Sequence, residues 1–571
     1  MDDSIASRWQ RRGLRRGVLR CCALVWSTAA ACGDPGGGGG NDGTQGSLTN
    51  AGTDGSSTDA SITASASMSS TAATDSADSG TDGTKFDIPV EETTGGTTGV
   101  LPPSCKVEDD MNAVGDCMAA APPDAFEPET QWDFLGPEGF RESITTPLVA
   151  NMTDDNGDGE IDLCDIPDVV VVAGPPLGDT PPARIYVLDG ATGVPHFDTG
   201  NEMVQWGGTP ALGDIDGDGM VEIVTSRPNG PAHLVAFEHD GTLKWESTAI
   251  WNGAQSSAIA LADVDADGDV EIAAGANLFD HTGALLWSQG NDSSYSATAI
   301  ADLDGDDQME VLVAGAVFHA DGSLYWNVPQ AQFGWSHPQV ADFDDDPEPE
   351  VLYAVENGIV LFEHDGTLIW GPSAPAGNPS DMNRPVNIHN YDLDDDREFG
   401  AADPSHYGIY DPDGSIVWTA GVLDASGQSG GTAFDFIGAG VAQAIYMDES
   451  TVYVFDDVGS VLMSVPYKSG TIIEYPTVAD IDNDGSAEIL VASNTLLFGG
   501  QVEFTVRAVR DVQDRWVQGR RIWNQHSYHV TNVREDGTIP QHEPKHWGLL
   551  NTFRTQAQIE NGGLCMPEPR G

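Results

Sequence analysis

Clusters of aspartate recur along this chain at one fixed spacing. Asp214, Asp216 and Asp218 are followed by Gly219 and, at the ninth position, by Glu222. Asp263, Asp265, Asp267, Gly268 and Glu271 repeat the pattern, as do Asp480, Asp482, Asp484, Gly485 and Glu488. Two copies keep the acids without the glycine. These are Asp302, Asp304, Asp306 and Glu310, with Asp307 in the glycine position, and Asp342, Asp344, Asp346 and Glu350, with Pro347 there. An earlier copy, Asp154, Asn156, Asp158 and Gly159, precedes three acids able to close it, Asp162, Asp165 and Asp168, so this loop carries an insertion. Asp162 is the ligand assigned. Oxygens at positions 1, 3 and 5 of a tight turn converge on one centre, a glycine at 6 permits the turn, and a later carboxylate completes the shell. That chemistry suits a hard cation with 6–8 oxygen ligands at about 2.3–2.6 Å. The expected cofactor is therefore Ca²⁺, several ions per chain with a structural role. Mg²⁺ prefers smaller octahedral sites, and the lack of His or Cys in these loops disfavours zinc and copper. The closing acid stands at 9 and not 12, which sets the loops apart from an EF-hand.

Two more copies are degenerate. Around Asn390, Asp392, Asp394 and Glu398 the register can begin at Asn390 or at Asp392. Around Asp435 and Gln443 most acids are gone, and this loop is expected to keep only the fold. Other chemistry is sparse. Gly427-Gln-Ser429-Gly-Gly431 fits G-x-S-x-G, yet it aligns with the entry to a strand elsewhere in the repeat and lacks the strand-to-helix turn of a nucleophile elbow. His526, His529, His542 and His546 could form a metal or acid–base site, without the H-E-x-x-H spacing that would strengthen the case.

The elements that must hold these loops are short strands. Between loops runs an apolar stretch, a turn containing glycine, and an aromatic four residues after that glycine: Gly193 and Phe197, Gly241 and Trp245, Gly283 and Trp287, Gly322 and Trp326, Gly366 and Trp370, Gly414 and Trp418, with Met463 after Gly459. Asp-Gly pairs at 240–241, 321–322, 365–366 and 413–414 are hairpin turns. The tryptophans are read as wedges between units. Units of about 40–50 residues, each with four strands, match a propeller blade, so the expected fold is all-β: a β-propeller of seven or eight four-stranded blades.

On those residues, the chain from 144 to 510 resembles the FG-GAP/VCBS repeat proteins, which include the blades of integrin α-subunit heads. The resemblance implies Ca²⁺ in D-x-D-x-D-G-x-x-[DE] loops, and hence ligation at the positions named above. It also implies seven blades, whereas the loop starts number eight.

Flanking segments supply the address. Arg8, Arg11, Arg12, Arg15, Arg16 and Arg20 precede an apolar run and then Cys32. This has the form of an export signal over 1–32, and Ala29-Ala30-Ala31-Cys32 resembles the lipobox of bacterial lipoproteins, with Cys32 as the lipidated residue. Residues 33–100 are Gly, Ser, Thr and Asp-rich and read as a disordered linker. A cysteine-containing lead-in occupies 101–143, and a more basic segment, 511–571, is expected to cap the ring on its acidic face. Cys105, Cys117, Cys164 and Cys565 form an even set with three possible pairings, consistent with an oxidising compartment. With 24 Lys+Arg against 90 Asp+Glu, a net charge of −66 argues against a nucleic-acid or anionic-membrane surface partner, and no stretch approaches the roughly 18 uninterrupted apolar residues of a spanning helix, so any membrane link is expected to be a lipid anchor. The expected function is non-enzymatic: an exported, surface-anchored module for adhesion or for binding an extracellular protein or glycan. A polysaccharide lyase or quinoprotein-like dehydrogenase on the same scaffold is the alternative. Few Lys or Arg in the repeats and no vicinal cysteines in the mature chain weigh against it.

Overall fold

The computed structural model describes most of residues 111–566, leaving out short internal stretches of which 177–181, 291–294, 375–383 and 425–428 are the longest. The export signal, Cys32, the linker and Cys105 lie outside the described residues. Among those described, the protein is all-β with one 3₁₀ turn, His546–Gly548. No helix is long and apolar enough to cross a membrane.

Eight sheets follow one another in the chain, each an antiparallel meander of four strands. The second shows the plan: Ala211–Gly213, Glu222–Ser226, Ala232–Phe237 and Leu243–Trp251. The aspartate loop joins the first strand to the second, and in the first seven sheets the glycine hairpin joins the third to the fourth. The first strands begin at Leu148, Ala211, Ala260, Ala299, Pro338, Asn387, Gly431 and Thr477. They are short and buried, with only His389 half-buried, as strands covered on both faces must be, whereas the fourth strands are largely exposed or half-buried. The first sheet has an additional strand, Val204–Gln205, against its third.

The eighth sheet departs from local order. Its first three strands are Thr477–Ala479, Glu488–Ala492 and Val506–Asp511, and its fourth is Pro128–Phe134, from the far end of the chain. The lead-in is thus not a separate segment, and the repeat region extends back from 144 to 128. Three or more strands are needed for a stable sheet and a bare edge invites mispairing, so this pairing ties the two ends of the repeat region together.

A second tie uses the hairpin glycines. Each adopts positive φ, and each takes an aromatic ring from the preceding sheet on the face where a side chain would project. A Cβ at Gly283 would meet the Trp245 ring at 2.7 Å, and one at Gly322 would meet Trp287 at the same distance. The indoles also donate across the boundary: Trp245 Nε1 to His281 O at 2.9 Å, Trp287 to Ala320 O at 2.8 Å, Trp326 to His364 O at 2.8 Å and Trp370 to Pro412 O at 2.7 Å. Trp132, on the strand from the lead-in, does the same to the first sheet: its Nε1 donates to Gly190 O at 2.6 Å and its ring covers Gly193. The spacing from glycine to tryptophan is therefore set by two neighbours at once.

Every sheet also has a β-bulge next to that aromatic. In the second, Ala236 pairs with Trp245 and Phe237 with Leu243, leaving Lys244 as the extra residue. The corresponding residues are His196, Leu286, Tyr325, Ile369, Val417, Leu462 and, on the lead-in strand, Gln131. A bulge re-aims its extra side chain, and at His196, Lys244 and Gln131 that side chain meets acids of the aspartate loop.

The C-terminal segment is more than a cap. It runs past the loops, with Gly537 O accepting from Asp214 N–H at 2.9 Å, Gln541 Nε2 donating to Ala266 O at 2.9 Å and Asn551 bonded to both backbone groups of Asp342. It also runs among the first strands. Trp523 bridges Val149, Asn524 O accepts from Leu212 N–H, Gln525 Oε1 from Leu261 N–H, and Phe553 bridges Ile388. Arg554 donates to Pro338 O and Val386 O, while Gln556 bonds Ala433 O and Val478 O. Trp523 and Arg554 are fully buried. Residues 511–571 thus belong to the same packed unit as the sheets. Cys117 is disulfide-bonded to Cys565, beside a parallel pairing of Gly115–Asp116 with Gly563–Met566, which excludes the pairings of Cys117 with Cys105 or Cys164. Cys164 is disulfide-bonded as well.

Trp132→Ala removes a buried indole, its hydrogen bond and the cover over Gly193. It should cost about 3–5 kcal/mol in chemical denaturation; a loss below about 1 kcal/mol would show that the lead-in strand is dispensable.

Candidate metal centres

Each aspartate loop is built by two anchoring rules. First, the ninth residue opens the second strand, is buried, and accepts a hydrogen bond from the N–H of the second residue. Glu222 Oε2 accepts from Ile215 at 3.0 Å, Glu271 from Val264 at 2.8 Å, Glu310 from Leu303 at 2.8 Å, Glu350 from Phe343 at 2.6 Å, and Glu488 from Ile481 at 3.0 Å. Second, the first aspartate collects backbone N–H groups from within its own loop. Asp214 accepts from Gly217 at 2.8 Å, Asp218 at 3.1 Å and Gly219 at 3.0 Å. Asp263 and Asp480 do likewise from Asp267 and Gly268, and from Asp484 and Gly485. The fifth residue closes a smaller turn by accepting from the seventh, as Asp218 does from Met220 and Asp484 from Ser486.

The turn needs two left-handed residues, not one. Positions 4 and 6 have φ of 74° and 88° at Gly217 and Gly219, 60° and 99° at Ala266 and Gly268, and 58° and 90° at Asn483 and Gly485. Gly305 and Asp307 adopt the same pair, so the aspartate replacing glycine in that copy still makes the turn. Pro347 cannot, and in its loop Asp342 accepts from Asp344 N–H. Glu350 nevertheless keeps the anchoring bond and opens the second strand as in the other loops.

The anchoring hydrogen bond also settles the ambiguous registers. Tyr391 N–H donates to Glu398, so that loop starts at Asn390. In the Asp435 loop the anchor is an amide: Phe436 N–H donates to Gln443 Oε1 at 2.9 Å. In the first sheet, Met152 N–H donates to Asp168 Oδ2 at 2.9 Å, which makes Asn151 the first residue and Asp168 the closing acid. Asp154, Asn156 and Asp158, with Asp162 after them, belong to the insertion. There Asp154 gathers Gly157, Asp158 and Gly159 N–H groups as an aspartate loop of its own, while Asp165 accepts from Asp155, Asn156 and Asp162. The assignment of Asp162 as the acid closing the first repeat is thus corrected to Asp168; an insertion doubles this loop and hides the phase.

The donor set fits a hard cation. Carboxylate oxygens of Asp214, Asp216 and Asp218 lie within 4.8 Å of one another, as do those of Asp263, Asp265 and Glu271. In three loops the second oxygen of the ninth residue, Oε1 of Glu350, Glu398 and Glu488, is buried without a hydrogen-bond partner. Such an atom is costly to bury unpaired, and a cation bound by Asp oxygens beside it would satisfy it. In other loops a basic side chain meets that oxygen. Lys244 Nζ lies 3.2 Å from Glu222 Oε1, 2.7 Å from Asp216 and 3.0 Å from Glu238. His319 Nδ1 lies 3.0 Å from Glu310 Oε1, and His196 Nε2 lies 3.4 Å from Asp168 Oδ1. Lys545, from the C-terminal segment, approaches Asp302 Oδ2 at 3.5 Å. None of these was singled out in the sequence; the signal available for His196 and Lys244 was their place directly before a wedge aromatic, and His319 and Lys545 had no such signal.

Without a cation the acids resist ionisation. Burial raises Glu222, Glu271, Glu350 and Glu398 to about 8 and Glu310 to about 7, and pushes Glu488 well above the carboxylate range. Burial likewise raises Asp480 to about 7. The C-terminal histidines do not converge. His526 stacks on His337, with ring centroids 5.2 Å apart, while His529 pairs with Glu543 at 2.5 Å and packs on His546. His542 is exposed. Burial holds His526 and His546 well below the usual histidine value, so both are neutral. Ser429 of the G-x-S-x-G stretch is buried at the entry to a first strand and bonds only to neighbouring backbone and Asp424.

Comparison with known proteins agrees with this geometry. Residues 214–274 match the model of the FG-GAP-like repeat. They are an FG-GAP-like repeat. The matched span runs from the loop of the second sheet through its last three strands and on to the second strand of the third sheet, including both complete loops, and the other sheets repeat this plan. No curated protein sequence matches the chain significantly. Among solved structures, the V. cholerae biofilm matrix protein Bap1 is similar with a TM-score of 0.67 at 20% identity, over 78% of this chain and 100% of that one. A Bacillus licheniformis rhamnogalacturonan lyase superposes with a TM-score of 0.46 at 16% identity, over 78% and 84% of the two chains. These likenesses concern the fold.

The raised carboxyls have a direct consequence. From the ordinary carboxylate range up to about pH 8 the metal-free fold holds protons that the unfolded chain has released, so its stability falls as pH rises. In chelator, the melting temperature should be higher near pH 5 than near pH 8. Saturating Ca²⁺ should flatten that slope by displacing the protons. A metal-free melting temperature that is level or rising over the same range would contradict it.

Proposed function

We propose that the eight sheets form a closed eight-bladed propeller stabilised by Ca²⁺, and that the protein is an exported, non-enzymatic module that binds a partner outside the cell. Closure is supported by the two ties between the ends, the strand Pro128–Phe134 in the eighth sheet and Trp132 over the hairpin of the first. Ring closure removes exposed sheet edges, which a protein in a crowded extracellular setting must avoid.

The observation that carries the non-catalytic reading is the course of the C-terminal segment. Where an enzyme would keep an open polar cleft, Trp523, Asn524, Arg554 and Gln556 are buried and bonded to the first strands. The perturbed carboxyls sit in the loops, where a cation is the natural partner, and the His529–Glu543 pair is buried. Perturbed groups in this chain thus serve ion binding and packing. Export through the N-terminal segment and attachment at Cys32 would place the module on the cell surface. The shared fold with a biofilm matrix protein is in keeping with adhesion or with binding of an extracellular protein or glycan.

Calcium bound only to the folded state adds about 2.7 kcal/mol per ion at a free concentration 100 times Kd. Chelation should therefore lower the melting temperature by more than about 10 °C, and an unchanged melt would remove calcium from the account. Incubated with acidic extracellular polysaccharides, the protein should co-sediment with polymer of unaltered chain length. Accumulation of unsaturated uronate ends would instead establish a lyase.

A further inference from the structure

The bulge residue differs from sheet to sheet, and in three sheets, at His196, Lys244 and Gln131, its side chain reaches the acids of the loop. In the second sheet it is Lys244, whose ammonium lies within 2.7–3.2 Å of Asp216, Glu222 and Glu238. Its side chain is 14% exposed and that of Glu222 is fully buried. The oxygen it meets, Glu222 Oε1, is the counterpart of the atoms left without a partner at Glu350, Glu398 and Glu488. In the eighth sheet the bulge residue is Gln131, which also reaches its loop and donates to Asp482 Oδ2 at 2.7 Å. In the third sheet it is Leu286, which carries no charge, beside a loop with the same acids and the same pair of left-handed turn residues.

We propose that Lys244 is the resident cation of the second sheet's loop, and that a cation carried at the bulge position closes a loop to a divalent ion. An ammonium and Ca²⁺ cannot share one set of oxygens at this range, because like charges a few Å apart repel strongly in a partly desolvated site. A loop with a complete D-x-D-x-D-G-x-x-E motif is thereby metal-free, while its neighbour with the identical acids is open. The tether is covalent, so this cation stays when external calcium falls, and it stabilises one loop independently of the ion supply. The bulge makes the arrangement possible: without the extra residue, position 244 would pair in the ladder and its side chain would leave the loop. The inference rests on the reading of the open loops as Ca²⁺ sites.

The test is reciprocal and uses the whole chain. Bound calcium per chain is counted by elemental analysis after equilibrium dialysis against micromolar free Ca²⁺, for the wild type, K244L and L286K. K244L should gain one ion and L286K should lose one. In chelator K244L should melt below the wild type, because the acids of the loop lose their cation, and Ca²⁺ should restore it. Either variant decides the matter if the other fails to fold. Wild-type stoichiometry in the variants, with calcium bound to all three proteins, overturns the role of Lys244 and the bulge. A wild type that binds no calcium overturns the reading of the loops themselves.

Discussion

The structure depends on the buried residue that closes each loop, a carboxylate in seven of the eight sheets and Gln443 in the other. The ninth loop residue opens the second strand, so its backbone belongs to the ladder, while one of its oxygens holds the N–H of the second loop residue and its other oxygen faces the aspartates. A carboxylate so placed cannot be left alone in a low-dielectric interior. It must be protonated, meet a basic side chain, or share a metal ion. The chain uses more than one of these solutions. Lys244 meets Glu222 and His319 meets Glu310, and Gln443 removes the charge outright while keeping the anchoring bond. The acidic composition of the chain follows from repeating this device rather than from a need for surface charge alone.

Around that device two kinds of contact set the spacing of the repeat. The loop fixes the first and second strands, and the aromatic on the fourth strand seeks the hairpin glycine of the next sheet. Because the indole must both cover the glycine and reach a carbonyl in the same turn, the four-residue interval between glycine and aromatic is tightly constrained. The bulge inside that interval sends one further side chain back to the loop. Loop, bulge and wedge are thus a single connected unit, and a change at one is felt at the others.

Much of this was legible in the sequence because it is local. The aspartate spacing, the hairpin glycines and the aromatics lie within one repeat, and their recurrence pointed to four-stranded units and to the loops of an FG-GAP-like repeat. What escaped was non-local or out of phase. Pro128–Phe134 pairs with a strand some 380 residues later, at Val506–Asp511, and nothing in its own composition reveals that partner. The first repeat begins at Asn151, not Asp154, because an inserted turn imitates the motif more closely than the true loop does. The left-handed fourth position passed unnoticed since it is occupied by Gly, Ala or Asn, which share no obvious side-chain chemistry. The C-terminal segment reads as a cap from its basic residues, but Trp523, Arg554 and Gln556 are buried through backbone and side-chain bonds to strands spread across the chain. The same distance hid the partner of Cys117.

The account stands most directly on the presence of metal in the open loops. Crystals grown in Ca²⁺ and measured at a wavelength with a useful calcium anomalous signal would decide it. The account predicts an anomalous peak in the third sheet's loop, among the oxygens of Asp263, Asp265, Asp267 and Glu271, at about 2.3–2.6 Å from each ligand. A difference map with no peak there, and with Glu271 donating a proton to a neighbour or to water, would contradict it.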